Sequence, residues 1–415
     1  MMAQFIFLIY RSLFVPFFNL LAKLLAPFAK GKLKEFLADR QPHTLPELEA
    51  SCIWIHASSG EIEYAKSVIR ALKAEWPQKP IIVSYFSPSA KKLIHHFPGV
   101  AATFALPLES QSEIKRHLNH FRPECLLIAR TDVWPELVFQ AKKRNIPCLL
   151  FSATLSSDSS RKFGISGLLT RFALNQLSEI HCVSEGDLNE FQQLKIETKI
   201  FSSGDTRYDQ VLYRLQNPNP IKLELKPNQK TFVCGSTWPE DEDVLIPAFP
   251  ELIRKGYKII LAPHEVSTQH LEQITLKLKK KDLTYTYYSK AKNWSEDILL
   301  VDQIGCLQEI YTWGQIAFVG GSFKEKVHSV MEPLAAGLPV FVGPHHQNNR
   351  EALQFQHYTE ADLSAVMEIK RSDDLPYFIQ KLESHLPNLK SKIHQKIIEK
   401  SGATDKLIKQ LKRFM

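Results

Sequence analysis

From residue 50 onward, short apolar runs alternate with segments of helical periodicity, and this alternation constrains the fold more than any other feature of the chain. CIWIHA (52–57) precedes EIEYAKSVIRALKAEW, in which Ala65, Val68, Ile69, Leu72 and Trp76 recur at helical spacing. PIIVSYF (80–86), ECLLIAR (124–130), IPCLLFS (146–152), EIHCVS (179–184) and TKIFSSG (198–204) repeat the strand pattern. The alternation predicts a parallel sheet covered by helices on both faces. Residues 214–230, with three prolines and three asparagines, read as a linker. The pattern then restarts with TFVCG (231–235), KIILAP (258–263), TYTYYS (284–289), ILLVD (298–302), IAFVGG (316–321) and PVFVGP (339–344). The expected architecture is α/β, with two Rossmann-like, doubly wound domains facing across a cleft. The expected boundaries are an N-terminal segment 1–34, a first domain 35–213, the linker 214–230, a second domain 231–395 and a basic C-terminal helix 396–415.

With 44% apolar and 23% charged residues over 415 positions, the chain is ordinary for a large globular protein. Disordered, collagen-like, coiled-coil and disulfide-stapled classes are excluded. Cys52, Cys125, Cys148, Cys182, Cys234 and Cys306 form no CxxC pair and no Cys/His cluster. No structural zinc site is implied, and a reducing compartment fits. The net charge of +8 is concentrated at the ends. Arg11, Lys23, Lys30, Lys32 and Lys34 face no acid before residue 35, and residues 390–415 carry eight Lys/Arg against Glu399 and Asp405. Two basic, apolar ends suit an anionic membrane surface better than a nucleic acid, which calls for a basic stripe on a folded face. The segment FIFLIYRSLFVPFFNLLAKLLAPFAK has no small-residue cleavage site. Its longest uncharged stretch, Ser12 to Ala22, is short of the ~20 residues that cross a bilayer. It reads as a membrane-interface helix or a tilted anchor; the competing reading is an amphipathic helix packed on the protein's own surface.

Six motifs begin at strand ends, where open α/β sheets bind ligands. His56-Ala57-Ser58-Ser59-Gly60-Glu61 places a carboxylate at a helix start, with Gly60 permitting close approach of a substrate. Ser58 and Glu61 also have capping-box spacing. In Arg130-Thr131-Asp132-Val133-Trp134-Pro135-Glu136, Arg130 can hold a phosphate or carboxylate and Asp132 adds a second polar group, or Thr131 or Asp132 caps the helix. Arg207, in Gly204-Asp205-Thr206-Arg207, is an anion ligand or a structural ion pair. Gly235-Ser236-Thr237-Trp238-Pro239 starts a helix whose N–H groups can hold a phosphate or only be capped. Ala262-Pro263-His264-Glu265 places His264 at a strand end. Gly320-Gly321-Ser322 can expose N–H groups to a phosphate, and Glu332 can accept hydrogen bonds from ribose hydroxyls. No GxxxxGK[ST] loop and no early GxGxxG is present, which argues against an ATPase or a dinucleotide oxidoreductase.

In this order, the motifs resemble the family of 3-deoxy-D-manno-octulosonic acid (Kdo) transferases, inverting glycosyltransferases of the GT-B fold that act on the lipid A precursor. HASSGE looks like that family's H-x-x-S-x-GE turn and TDVWPE like its (E)TELWPN segment. GDTRYD, GSTWPEDE and APHE resemble the branch with GDTRFD, GSTW-x-x-DE and PHE. VDQIGCLQEIY resembles D-x-x-GEL-x-x-Y, and FVGGSF resembles FVGGSL. The resemblance implies that Glu61 is the general base deprotonating an acceptor hydroxyl, which attacks the anomeric carbon of CMP-Kdo. Ser58, Gly60, Arg130 and Asp132 then lie on the acceptor side. Arg207, Ser236, Thr237, His264, Gly320, Gly321, Ser322, Ser329 and Glu332 are assigned to the donor. No metal and no cofactor beyond the donor substrate CMP-Kdo is implied. The expected partners are a lipid IVA-like lipid A precursor and a membrane surface with anionic lipids, at the cytoplasmic face of the bacterial inner membrane. Two departures stand out. Arg130 replaces a carboxylate, and Lys326-Val327-His328-Ser329 stands where the family has Gly-Gly-His-Asn. They leave two alternatives: a GT-B transferase using another nucleotide sugar on a membrane lipid, or a catalytically silent membrane-bound paralogue.

Overall fold

The computed structural model describes residues 2–40, 44–221, 223 and 229–415. The chain divides into two compact units, one of residues Met1–Gln210 with Lys400–Met415 and one of residues Val211–Glu399. The division falls inside a helix rather than after residue 213. Of the proposed linker, residues 214–216 are helical, and 222 and 224–228 lie outside the described residues.

The first unit opens with helix α1 (Met2–Phe28), helical throughout with one wide turn at Tyr10–Phe14. Its sheet comprises β1 (Ile53–His56), β2 (Ile81–Tyr85), β3 (Ala102–Ala105), β4 (Cys125–Ala129), β5 (Cys148–Ala153), β6 (Glu179–Cys182) and β7 (Lys199–Ser202). Helix α2 (Ile62–Glu75) follows β1, and α3 (Pro135–Lys142) follows β4 with Pro135 in its first turn. Every pairing is parallel, in the order β3-β2-β1-β4-β5-β6-β7. Alternate residues point to opposite faces, so Trp54, Ile82, Leu126 and Leu150 enter one core, and Ile53, Ile55, Val83 and Leu127 enter the other. The strand order reverses between β1 and β4, which makes the carboxyl ends of these two strands the switch point where such sheets bind ligands.

The second unit holds β8 (Thr231–Thr237), β9 (Lys258–Pro263), β10 (Tyr285–Tyr287), β11 (Ile298–Leu300), β12 (Ile316–Val319), β13 (Val340–Val342) and β14 (Val366–Glu368). They form a second all-parallel sheet in the order β10-β11-β9-β8-β12-β13-β14, reversing between β8 and β12. The sequence-based strands from residue 231 to 344 all coincide with these elements.

The ends of the chain pack differently from each other. Helix α4 (Ala403–Leu411) buries Leu407, Ile408 and Leu411 in the core of the first unit. The apolar face of the basic C-terminus is therefore spent inside the protein, and the terminal element begins at residue 400 rather than 396, because residues Leu386–Glu399 form one helix of the second unit. Helix α1 is only partly seated. Phe7 stacks on Phe172 at 4.1 Å, Arg11 pairs with Glu136 at 2.9 Å, and the Asn19 side-chain amide donates to Leu108 O at 2.9 Å. Leu13, Phe17, Leu24 and Phe28 are 60–79% exposed. The 27-residue helix is long and apolar enough to cross a membrane, a length that the stretch between charges, Ser12 to Ala22, understated.

Candidate active site

At the first switch point, His56 ends β1 and the chain turns through Ser58 and Gly60 into α2. Glu61 sits at the head of that helix. Its Oε2 accepts the Ser59 N–H at 2.8 Å, so the carboxylate does reach back as a cap, but to Ser59 rather than to Ser58. Its Oε1 has no partner among the described residues. Ser58 is buried and turned inward, its hydroxyl 3.2 Å from His56 Nε2. Gly60 is exposed, and a Cβ there would meet open space.

One turn along α2, the Tyr64 ring has two guanidiniums beside it. Arg130 is centred 4.7 Å from the ring and donates Nη1–H to the Tyr64 hydroxyl at 2.6 Å, and Arg207 is centred 5.7 Å from the same ring. Arg130 has φ +69°, a left-handed conformation that costs roughly 1–3 kcal/mol for a side chain of this size. Arg207 thus belongs to the first unit, beside Arg130. Asp132 is occupied by Arg161, at 2.9 Å. Neither Thr131 nor Asp132 caps α3. Glu109 does so from another element, accepting the N–H groups of Glu136 and Leu137 at 2.7 and 3.2 Å. Burial pushes the Glu109 carboxyl up to about 8. Sequence reasoning missed Tyr64, Arg161 and Glu109, because their roles come from contacts across dozens of residues.

In the second unit, four of the expected donor residues line one cavity of about 310 Å³: Ser236, His264, Ser329 and Glu332. Ser236 sits at a break in the β8–β9 register, with φ +55°. The Ser329 hydroxyl donates to Glu332. Arg214, which pairs with Glu309 at 3.1 Å, adds a cation to the cavity. Gln308 adds a buried amide whose Nε2 has no partner among the described residues. The continuation of helical spacing past residue 213 was the available signal for Arg214. Burial lowers the pKa of His264 and pushes His328 down to about 4, so both rings are neutral at pH 7.

The glycine loop is organised differently from the expectation. Buried Asp241 accepts the N–H groups of Trp238 and Gly321 through Oδ2, at 2.8 and 2.7 Å, and that of Phe323 through Oδ1, at 3.1 Å. The Gly320 N–H goes to Gly235 O at 2.9 Å. Those N–H groups are taken by protein acceptors and are not available to a phosphate. Gly320 is required for a packing reason instead, since a Cβ there would collide with the backbone of Ser236. Ser322 is buried and accepts the Gly343 N–H at 2.6 Å, and Thr237 is buried and donates to Glu242 at 3.1 Å. Thr237 and Ser322 are therefore fold-holding residues.

Residues 32–210 match the family described as 3-deoxy-D-manno-octulosonic-acid transferase (kdotransferase). The 3-deoxy-D-manno-octulosonic acid transferase of Chlamydophila psittaci is 28% identical over 339 residues, 78% of this chain and 77% of its own. The enzyme of that name from Haemophilus influenzae is 24% identical over 387 residues, 88% of this chain and 89% of its own. Among solved structures, the UDP-GlcNAc 2-epimerase of Neisseria meningitidis superimposes with a TM-score of 0.62 at 14% identity, over 88% of this chain and all of that one. Phytolacca americana UGT2, solved with UDP-2fluoro-glucose and pterostilbene, gives 0.52 at 12% identity, over 88% of this chain and 98% of its own. These two likenesses concern the fold, which is that of GT-B glycosyltransferases and epimerases. Residues 32–210 are thus similar to the Kdo transferase family, and most of the chain is similar to curated transferases of that name.

Proposed function

We propose that this chain transfers Kdo from CMP-Kdo to a hydroxyl of a lipid A precursor, with inversion and with Glu61 as general base. One observation carries the reading: Glu61 stands at the switch-point end of β1 with Oε1 unengaged among the described residues, one helical turn from a tyrosine whose ring is close to two guanidiniums. The acceptor oxygen forms its bond to the anomeric carbon as the bond from that carbon to the CMP phosphate breaks. The electron pair leaves with CMP, and the acceptor proton passes to Glu61. Arg130 and Arg207 suit an anionic group, either the Kdo carboxylate or an acidic group of the acceptor. In the second unit, Arg214 supplies positive charge for the leaving phosphate and Glu332 accepts from the ribose. The exposed face of α1, followed by Lys30, Lys32 and Lys34, docks the protein on the cytoplasmic face of the inner membrane, where the lipid acceptor resides.

Full-length protein in detergent, CMP-Kdo and a tetra-acylated lipid A precursor test the reading, with the lipid product read by mass. A gain of one or more Kdo units is expected, reduced about 10²–10⁴-fold in Glu61→Gln. Undiminished transfer by Glu61→Gln removes the proposed base. Transfer from another nucleotide sugar but not from CMP-Kdo overturns the donor, and absence of transfer from every donor leaves a silent paralogue.

A further inference from the structure

Three rings in the second unit form one plate. Trp238 and His264 have centroids 4.8 Å apart at 26°, and His264 and His328 are 4.3 Å apart at 11°. Trp238 Nε1 lies 2.8 Å from His328 Nε2. An indole N–H can only donate. Nε2 must therefore present its lone pair, and the neutral ring carries its hydrogen on Nδ1. A Cβ placed on Gly321 would stand 3.1 Å from Cδ2 and 3.2 Å from Nε2 of this ring, so Gly321 backs the edge that Trp238 holds. Nδ1 is on the opposite edge. It has no partner among the described residues, it is not sealed from solvent, and the ring lines the cavity shared with Arg214, Ser236, Ser329 and Glu332.

We propose that Trp238 is a positioning residue for the nucleotide donor: it fixes His328 as the Nδ1–H tautomer and so makes that ring an uncharged hydrogen-bond donor to a phosphate oxygen. The inference rests on reading the second unit as the CMP-Kdo side. Protonating His328 requires the lone pair that the Trp238 N–H occupies. Burial depresses the ring's pKa, and His264 and Lys326 act in the same direction. Lys324 lies 3.5 Å from the Trp238 ring centroid, Arg214 and Glu332 line the cavity, and Asp241 holds the N–H groups of Trp238 and Gly321 behind it. Three cations and one neutral ring against two carboxylates keep His328 uncharged, so its donor hydrogen persists from neutral pH down to about 5.

Trp238→Phe keeps an aromatic ring in the stack and removes only the N–H. In full-length protein labelled with ¹⁵N-histidine, the native His328 signals are expected to show a protonated Nδ1 and a bare Nε2 from pH 5 to 8. In Trp238→Phe the two tautomers should mix and the ring should titrate closer to 6.5, the ordinary histidine value. With CMP as the probe, Trp238→Phe should bind about tenfold more weakly at pH 7.5, a loss matching one hydrogen bond to a charged group. A second pair of variants does not depend on Trp238: the amide of His328→Asn reaches near the Nδ1 position and that of His328→Gln near Nε2. Both should weaken CMP binding, Gln by about tenfold more than Asn. An unchanged tautomer in Trp238→Phe, or equal losses in Asn and Gln, overturns the proposal. Native protein that binds no CMP overturns the donor-side reading itself, and the tautomer signals, which need no ligand, tell the two failures apart.

Discussion

The two units contain the same contact with opposite consequences. In the first, the Trp134 N–H donates to His56 Nε2 at 3.0 Å; in the second, the Trp238 N–H donates to His328 Nε2 at 2.8 Å. Both histidines are held as the Nδ1–H tautomer, and burial pushes both down to about 4. What differs is the other nitrogen. His56 is fully buried, its Nδ1 lies 2.9 Å from Ser84 Oγ, and that oxygen also accepts the Trp54 N–H at 2.7 Å. Both ring nitrogens of His56 are paired within the protein, whereas Nδ1 of His328 has no partner among the described residues and its ring borders a cavity. A tryptophan that fixes a tautomer makes a structural pin where the second nitrogen is paired, and a ligand-binding donor where it is not.

If that contrast is right, the largest effect of removing the two rings falls on stability in one unit only. His56→Ala removes, at a fully buried position, the partner of the Trp134 N–H and of the buried Ser58 hydroxyl. Unsatisfied buried groups cost ~1–3 kcal/mol each, so a loss of about 3 kcal/mol is expected in chemical denaturation. His328→Ala leaves Trp238 partly exposed, where water replaces the ring, and should cost under ~1 kcal/mol. Equal losses at the two positions would break the comparison.

A pH series sharpens it. The folded-state pKa of His56 lies below its unfolded value, so the unfolded chain binds the proton more readily. The contribution of His56 is complete above about pH 6.5 and is lost as pH falls toward 4. Between pH 7.5 and 5 this amounts to about 2 kcal/mol, so the penalty of His56→Ala should shrink to about 1 kcal/mol at pH 5. Glu109 works in the opposite sense. Its carboxyl is raised to about 8, so its contribution is complete below about 4.5 and is lost as pH rises through 8. Because Glu109 is common to native protein and variant, the difference between them isolates His56. A penalty that does not change with pH would mean that His56 titrates normally.

Much of this was legible in the sequence. The strands read between residues 52 and 344 are all present, because strands of a covered parallel sheet are apolar throughout and the helices between them carry a 3.6-residue period, but the half-buried edge strand β3 was missed. The motifs singled out Glu61, Ser236, His264, Ser329 and Glu332, and the last four do share one cavity. What stayed hidden was which partner each group meets. The Gly320-Gly321-Ser322 loop looks like a phosphate cradle until Asp241, some 80 residues away, takes the Gly321 N–H. Trp134 and Trp238 stand in the sequence as members of helix-start motifs, and nothing local indicates that their N–H groups reach histidines 78 and 90 residues distant. Thr237 and Ser322 belong to the right motifs but face inward, because which members of a strand-end motif point to solvent is settled by the twist and register of the sheet.

The smallest effect tests whether the charge over each ring belongs to the contrast. In the first unit Arg130 is tied to Tyr64 by a hydrogen bond as well as by the ring face, so its position is fixed twice. In the second unit exposed Lys324 is held over Trp238 at 3.5 Å by the ring face, an interaction worth ~0.5–1 kcal/mol at an exposed site. A cation on the indole face withdraws density from the ring and makes the N–H a better donor to His328. Lys324→Gln should therefore weaken CMP binding by about threefold, from the energy of that contact. The salt dependence assigns the cause. At about 1 M salt the screening length falls to roughly 3 Å, so a loss that came only from attraction between Lys324 and the phosphate would vanish there. A loss acting through the indole is made at contact distance and should survive. Its disappearance in high salt would leave Lys324 as a steering charge and detach it from the Trp238–His328 pair.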